Sequence, residues 1–225
     1  MQIAIDGPAG AGKSTVAKMV ADKLGYLYID TGAMYRALTY FVLQEGLDPH
    51  SEEQVYQLLQ KMDLRLIPST DTGVSCRVFI GEQEITEEIR KPTVSQYVSI
   101  VASHSSVRTA MVELQRRMAA LNDVVMDGRD IGTTVLPNAD LKIFLSASVE
   151  ERAKRRYQEL LSKGVVLDFD QLIAEIKQRD LADSTRAVSP LRKAEDAVEI
   201  DTTELTVAQV VEQVLKLAVR RENSV

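Results

Sequence analysis

Residues 7–15 constrain the fold more than any other stretch of the chain. They read GPAGAGKST and match the pattern G-x-x-x-x-G-K-[ST]. The fixed positions are Gly7, Gly12, Lys13 and Ser14. An apolar run at 3–5 precedes the stretch, and a helical pattern follows it as far as Leu24. Backbone N–H groups in such a loop surround an anion, and the start of the helix adds positive potential. The sequence therefore predicts a strand, a loop and a helix that bind a nucleoside triphosphate.

Within this stretch the residue types predict the individual roles. We expect ATP to contact every residue of the loop, namely Gly7, Pro8, Ala9, Gly10, Ala11, Gly12, Lys13, Ser14 and Thr15. Lys13 would reach the β- and γ-phosphates, and the Ser14 hydroxyl would bind Mg²⁺. A buried strand at 124–126 ends at Asp127. That carboxylate would reach the metal directly or through water, although Asp-Gly is also a common turn sequence.

Composition limits the class of protein. With 225 residues the chain is long enough for one substantial core and an insertion. Its net charge of −6 argues against a general nucleic-acid-binding protein. A single cysteine, Cys76, excludes a disulfide framework within the chain, and we expect it to serve packing. The first strand begins near Met1, which leaves no room for a signal peptide, and no apolar run approaches membrane-spanning length. We therefore expect a cytoplasmic monomer that binds neither membrane nor nucleic acid.

The order of elements predicts an α/β fold. Strand and helix patterns alternate along the chain, which favours a doubly wound, parallel sheet of about five strands with helices on both faces. Residues 63–103 interrupt this order with strands at 64–67 and 74–80, joined by turn residues at 71–73. We expect one domain with a core (1–31, 104–147 and 184–225), an acceptor-binding region with this β insertion (32–103) and a helical lid (148–183).

Polar residues follow four of the predicted strands. These residues are Asp6, Asp30-Thr31, Asp127-Gly128-Arg129-Asp130 and Asp201-Thr202. In open parallel sheets, ligands bind beyond the carboxyl ends of the strands. The clusters should therefore meet at one edge, which is the main reason to expect an enzyme.

Two helices carry charged residues on one face. Arg152, Arg155 and Arg156 are spaced i, i+3 and i+4 and form either a solvated stripe or the cations of a mobile lid that covers transferring phosphates. The spacing does not say which of them points inward. Arg179, Asp183 and Arg186 form either a surface ion-pair ladder or a charged wall of the site.

One further helix start carries a candidate acceptor site. In the segment 30–36, Thr31, Tyr35 and Arg36 place a hydroxyl, a phenol and a guanidinium near a strand end. Arg36 suits a bidentate contact with an acceptor phosphate, although it would equally serve as an exposed helix residue. The chain has no Asn-Lys-x-Asp element for guanine, so a GTPase switch is disfavoured.

Taken together, the motifs resemble those of bacterial cytidylate kinases. The matching segments are IDGPAGAGKST, IDTGAMYRALT, DGRDIGT, RDLADSTRAVSPL and DAVEIDT, in this order and over nearly the whole chain. The resemblance implies Mg²⁺-dependent transfer of the γ-phosphoryl group of ATP to CMP or dCMP. The implied acceptor-site residues are Thr31, Ser99, Arg108, Arg129, Asp130, Arg179, Asp183 and Arg186. Relatives often have Ser at the position of Thr31, so we expect altered packing there but the same hydrogen bond.

The resemblance also implies a division of roles. Asp130, Arg108 and Arg186 would recognise cytosine, and Arg179 and Asp183 would contact the pentose. Lys13, Arg129, Asp130, Arg152, Arg155 and Arg156 would be the catalytic residues of an in-line transfer that needs no histidine. Two alternatives remain open: another small-molecule kinase with AMP or shikimate as acceptor, and a binding protein that uses ATP as a switch.

Overall fold

The computed structural model describes residues 1–69, 76–162, 164 and 168–222. The chain begins with β1 (Gln2–Asp6), α1 (Lys13–Leu24), β2 (Leu27–Asp30), α2 (Thr31–Gln44) and α3 (Glu52–Lys61). It continues with β3 (Leu64–Pro68), β4 (Cys76–Ile80), β5 (Gln83–Glu84), a 3₁₀ turn (Glu88–Arg90), α4 (Pro92–Val101) and α5 (Ser105–Ala119). The last elements are β6 (Val124–Gly128), a π-helical turn (Ile131–Val135), β7 (Leu141–Ser146), α6 (Val149–Ser162), α7 (Phe169–Thr185), β8 (Val198–Asp201) and α8 (Val207–Glu222).

Five of these strands form the central sheet, in the order β2-β6-β1-β7-β8. Every pair in it is parallel. The predicted α/β fold with a parallel sheet of five strands is therefore confirmed. Because the strands run the same way, the residues that end β1, β2, β6 and β8 lie at one edge.

The two faces of the sheet carry separate hydrophobic clusters. Ile3 and Ile5 of β1 pack with α1 and α8, whereas Ala4 between them packs with α2, α3, α4 and α5. This alternation follows from the pleat, which points successive side chains to opposite faces. Helices thus cover the sheet on both sides and leave its edges for loops.

The β insertion forms a small antiparallel sheet in the order β3-β4-β5. It packs on α2, where Cys76 and Val78 lie against Ala33 and Ala37. The packing role predicted for Cys76 is confirmed. The sequence did not predict β5, and the predicted strand residues 74–75 and turn 71–73 lie outside the described residues.

Some predicted boundaries are wrong by one or two residues. The turn residues Thr31-Gly32 predict a cap of α2 at that point. The helix instead begins at Thr31, and its cap is Asp30, whose carboxylate accepts a hydrogen bond from the Ala33 N–H at 2.8 Å. Similarly, α5 begins at Ser105 instead of Val107. The sequence also predicts that Gly25 ends α1 and that Ser51 and Asp168 cap the starts of α3 and α7, and the structure confirms these three positions.

Helices α6 and α7 form a cluster of their own. Their shared buried residues are only Ala153, Leu172 and Ile176 among the described part of the chain. Few buried apolar contacts mean a small free energy of local opening. Among the described residues, no helix combines the length and apolar character needed to span a membrane.

Gly7 provides a test of how tightly the loop is packed on the sheet. Its φ is +146°, and a Cβ atom added there would lie 2.0 Å from the Leu145 carbonyl oxygen of β7. We expect Gly7→Ala to lower the free energy of unfolding by roughly 3 kcal/mol or more, measured by urea denaturation.

Gly46→Ala is the matched control for this substitution. Gly46 also has a positive φ, +65°, but a Cβ there would meet no atom within 4 Å. The backbone cost alone is about 1 kcal/mol. Equal losses in the two variants would contradict the close packing of the loop on β7.

Candidate active site

The glycine-rich loop connects β1 to α1 and places Lys13 at the start of the helix. Gly10 and Gly12 adopt φ of +80° and +86°, which allows the loop to curl. The Lys13 ammonium is buried and donates to the Pro8 carbonyl at 2.7 Å. Burial, and then the nearby Arg129, hold the pKa of Lys13 well below its ordinary 10.5. An anion bound in this loop would stabilise the protonated form of Lys13, which burial disfavours.

Asp127 ends the buried part of β6 and lies against the loop. Its carboxylate accepts hydrogen bonds from the Ser14 hydroxyl at 2.9 Å and from the Tyr28 hydroxyl at 2.7 Å. Burial, followed by the charge of Asp30, raises the pKa of Asp127 to about 7. A buried carboxylate with this pKa is stabilised in its charged form by a cation.

The oxygens present suit Mg²⁺ only in part. The Ser14 hydroxyl and the Asp127 carboxylate are adjacent hard oxygen ligands. Among the described residues, no three acidic, histidine or cysteine side chains are grouped to hold a metal alone. Mg²⁺ usually keeps waters and takes further ligands from substrate phosphates, so this pair fits a metal that arrives with a nucleotide.

Guanidinium groups accumulate across the cleft from the loop. Arg129 donates through Nε to Asp183 at 2.9 Å. The Nε of Arg179 is buried without a hydrogen-bond partner. Burial, then Arg36 and Arg129, lower the pKa of Arg179 to about 9. Burial also lowers the pKa of Arg36, and Arg129 and Arg156 add to that effect. Positive charge here exceeds the nearby negative charge, so this part of the cleft suits an anion.

A second, deeper group lies next to these arginines. The buried Arg108 pairs with Asp130 through Nη2, donates to the Ala102 carbonyl at 3.1 Å and lies 5.4 Å from the centre of the Tyr35 ring. Arg186 reaches the same carboxylate at 3.6 Å. Hydrogen-bonding capacity is left unused on Arg108 Nε, Arg186 Nη2 and the Tyr35 hydroxyl. Such a pocket fits a flat polar group with both donors and acceptors.

Three arginines of α6 differ in their surroundings. Arg152 is buried and donates to the Ala9 carbonyl at 3.1 Å. Arg155 donates to the Thr202 carbonyl at 2.6 Å and to its hydroxyl at 3.1 Å. Arg156 pairs with Glu159 at 2.7 Å and is half-buried, and its charge reaches Arg36 and Arg179. The three share one helical face, as the spacing predicts, but only Arg156 is directed toward the guanidinium group across the cleft.

A single cleft of about 1570 Å³ brings the predicted residues together. It is lined by the predicted loop residues from Ala9 to Thr15, by Asp127, and by the predicted acceptor and lid residues. The latter are Thr31, Tyr35, Arg36, Ser99, Arg108, Arg129, Asp130, Arg152, Arg155, Arg156, Arg179, Asp183 and Arg186. Of the nine loop residues predicted to contact ATP, Gly7 and Pro8 do not line the cleft. The Thr31 hydroxyl donates to the Asp127 carbonyl at 2.6 Å.

Sequence reasoning missed Tyr28 and Arg90 near this cleft, and it placed Asp6 at the edge of the sheet without giving it a role of its own. Tyr28 binds Asp127 from β2, where strand alternation gave no functional signal. Arg90 lines the cleft from the 3₁₀ turn, and its buried Nε lacks a hydrogen-bond partner. Asp6 accepts from the N–H groups of Ile131 and Gly132 at 2.8 and 2.7 Å, and so anchors the segment after Asp130. The position of Asp6 at a strand end was the only available signal.

Comparison with solved structures finds two at low similarity to this chain. They are a shikimate kinase from Bacteroides thetaiotaomicron, with a TM-score of 0.48 and 16% identity, and a gluconokinase from Sinorhizobium meliloti 1021, with a TM-score of 0.47 and 18% identity. The first covers 97% of this chain and 98% of its own, and the second 99% and 94%. Likeness at this level says nothing about function.

Sequence comparison is more specific. Residues 3–220 match the family model described as cytidylate kinase. The chain is 56% identical over 216 residues to the cytidylate kinase of Bacillus subtilis (strain 168), across 96% of this chain and 95% of that one. It is 54% identical over 222 residues to the cytidylate kinase of Listeria monocytogenes serovar 1/2a, across 99% and 97%. The chain therefore belongs to the cytidylate kinase family of nucleoside monophosphate kinases.

Proposed function

We propose that this protein transfers the γ-phosphoryl group of ATP to CMP or dCMP, with Mg²⁺, and releases ADP and CDP or dCDP. The observation that carries the proposal is the cleft itself. It joins a phosphate-binding loop to a group of buried guanidinium groups with unused donors and to a polar pocket. Family membership names the acceptor class. The enzyme would act as a cytoplasmic monomer on small molecules, without nucleic acid or membrane.

The donor would bind at the loop. Backbone N–H groups of residues 9–15, which include the start of α1, would surround the phosphates, and Lys13 would neutralise the β- and γ-phosphates. Mg²⁺ bound with ATP would draw charge from the transferring phosphoryl group. Ser14 and Asp127 are the residues placed to hold it, the latter directly or through water.

The acceptor would bind across the cleft. Arg36, Arg129 and Arg179 supply positive charge for its phosphate and pentose, and Thr31, Ser99 and Asp183 supply oxygen atoms beside them. The acceptor oxygen is already anionic, so a strong general base is unnecessary. Catalysis would then consist of positioning two anions in line and neutralising charge, with Arg152, Arg155 and Arg156 closing over them.

Base selection follows from the polar pocket. Cytosine has an amino donor at C4 and acceptors at N3 and O2, which match the carboxylate of Asp130 and the guanidinium groups of Arg108 and Arg186. Uracil presents N3–H to the arginines and O4 to the carboxylate. Each unmatched buried group costs roughly 1–3 kcal/mol, so UMP should be disfavoured on the order of 100-fold.

We propose the following division of the chain into functional regions. Residues 148–183 would form the lid, because α6 and α7 share few buried apolar side chains. Residues 32–103 would form the acceptor-binding region around a core of 1–31, 104–147 and 184–225. Closure would exclude water, which could otherwise take the place of the acceptor and receive the phosphoryl group.

The substrate panel is the test of the proposal as a whole. A coupled ADP-release assay with MgATP should give rapid turnover with CMP or dCMP and little with UMP, AMP or shikimate. Rapid turnover with AMP or shikimate would favour the alternative small-molecule kinases. Slow ATP hydrolysis with no acceptor dependence would favour an ATP switch.

Lys13→Ala should lower kcat at least about 1000-fold because it removes charge neutralisation from the transfer step. Its fold should survive, since burial already disfavours the charged ammonium. Steady-state kinetics and thermal unfolding measure the two effects. Lys23→Ala is the control, because Lys23 lies exposed on the same helix. Near-normal turnover in Lys13→Ala would contradict the loop assignment.

Asp130→Asn should lower the ratio of kcat/KM for CMP to that for UMP by about tenfold, because the amide no longer presents only acceptors. The ratio is the measure, since removing a charge beside the buried Arg108 also affects stability. Glu113→Gln, an exposed change on α5, controls for the loss of one carboxylate. An unchanged ratio would remove Asp130 from base recognition.

Asp127→Asn should be more stable than the wild type without ligands at pH 8. The pKa of Asp127 is raised from 3.8 to about 7, so its buried charge is a cost that appears as pH rises through this interval. We expect a gain of roughly 2 kcal/mol at pH 8 that disappears toward pH 4, measured by urea denaturation.

The same variant should lose the dependence of ATP affinity on Mg²⁺, measured by titration calorimetry. Asp22→Asn, at an exposed position of α1, removes one charge without these effects. A stability loss of equal size at pH 4 and pH 8 in Asp127→Asn would contradict the cost of the buried carboxylate.

A further inference from the structure

Asp180 belongs to the motif RDLADSTR, yet the roles implied for that motif go to its neighbours Arg179, Asp183 and Arg186. In the structure Asp180 does not join them. Its Oδ2 accepts from Nη2 of Arg152 at 2.7 Å, which connects α7 to α6. The Arg152 side chain is 4% exposed and that of Asp180 is 25% exposed, so the pair is largely shielded from solvent.

Arg152 carries this contact to the phosphate-binding loop. Its three guanidinium nitrogens each have a different acceptor: Nε donates to the Ala147 carbonyl at 3.0 Å, Nη1 to the Ala9 carbonyl at 3.1 Å, and Nη2 to Asp180. The loop also packs on the stem of Arg152, because a Cβ added to Gly10 would lie 3.1 Å from the Arg152 Cβ. Arg152 thus contacts the loop at both Ala9 and Gly10.

Only one of those three acceptors carries charge. The carbonyls of Ala147 and Ala9 are neutral, so among the groups that accept from Arg152, Asp180 alone compensates its charge. A buried guanidinium that loses its carboxylate is strongly destabilised where it is and moves toward water. Because the same guanidinium holds Ala9, that movement would release the curl that turns the loop N–H groups toward an anion.

We propose that Asp180 is a positioning residue that acts through Arg152 on the donor loop, and so couples the acceptor helix α7 to ATP binding. The inference rests on the proposed function for its ligands. Asp180 lies in sequence between the acceptor-site residues Arg179 and Asp183. Its loss should nevertheless weaken the binding of ATP more than the binding of CMP, which distinguishes this inference from an acceptor-site role.

Asp180→Asn keeps the size of the side chain and removes its charge, so it is the first variant to measure. We expect its Kd for ATP, from titration calorimetry, to rise about tenfold, within the usual span of coupling between sites, while the Kd for CMP changes by less than about twofold. Asp170→Asn, at an exposed position on the same helix, should change neither. Equal weakening of both substrates, or of neither, would overturn the inference.

A double-mutant cycle separates this role from general structural support. If Asp180 acts through Arg152, Asp180→Ala should have no further effect on the Kd for ATP in an Arg152→Ala background. A purely structural ion pair would instead lower the thermal stability without a selective change in ATP affinity. An undiminished effect of Asp180→Ala in the Arg152→Ala background would overturn the proposed route.

Hydrogen exchange tests the inference without any substrate. The N–H groups of residues 9–11 should exchange about tenfold faster in Asp180→Asn than in the wild type, and those of β1 should not change. Unchanged exchange in the loop would overturn the inference even in an active kinase. Failure of the wild type to phosphorylate CMP would overturn the proposed function instead, and faster loop exchange in Asp180→Asn would still support the contact.

Discussion

The buried charges of the cleft, which are only partly compensated, are the constraint on which the rest of the structure depends. Lys13, Arg179 and Asp127 are all removed from water, and burial is the largest cause of the shift in each pKa. A folded protein tolerates such groups only if the remaining structure supplies enough stability. Here the two apolar clusters on the faces of the sheet provide it. Anionic substrates and a cation would complete the compensation, so the relief of this electrostatic cost would contribute to their binding.

The sheet and the phosphate-binding loop could be predicted from the sequence because their signals are local. A strand, a glycine-rich turn and a helix follow one another within 24 residues, and the parallel order follows from the handedness of the crossovers. Strand ends such as Asp30 and Asp127 then fall at one edge by topology alone. Even so, the turn residues Thr31-Gly32 predict the cap of α2 one residue too late, because Asp30 also reads as the end of β2.

The details of the cleft could not be predicted, because they depend on distant contacts. Gly128 looked compatible with an ordinary turn, but a Cβ there would lie 2.6 Å from both Ile131 and Thr31, so the glycine permits the Thr31 contact. Spacing placed Arg152, Arg155 and Arg156 on one face without showing that Ala9 and Thr202 hold the first two. Tyr28 and Arg90 had no local signal at all, since each gains its role from an element remote in the chain.

The continuity of α7 fixes the spacing of two side chains in the proposed acceptor site. Arg179 and Asp183 lie four residues apart on an unbroken helix, which spans ~6 Å along its axis. If the acceptor binds beside α7, as proposed, the helix backbone fixes the distance between these two side chains along it. One residue inserted between these positions would rotate Asp183 by ~100° around the helix axis, away from the face that it shares with Arg179. Relatives should therefore keep the number of residues between these two positions, whereas the residues in between can differ.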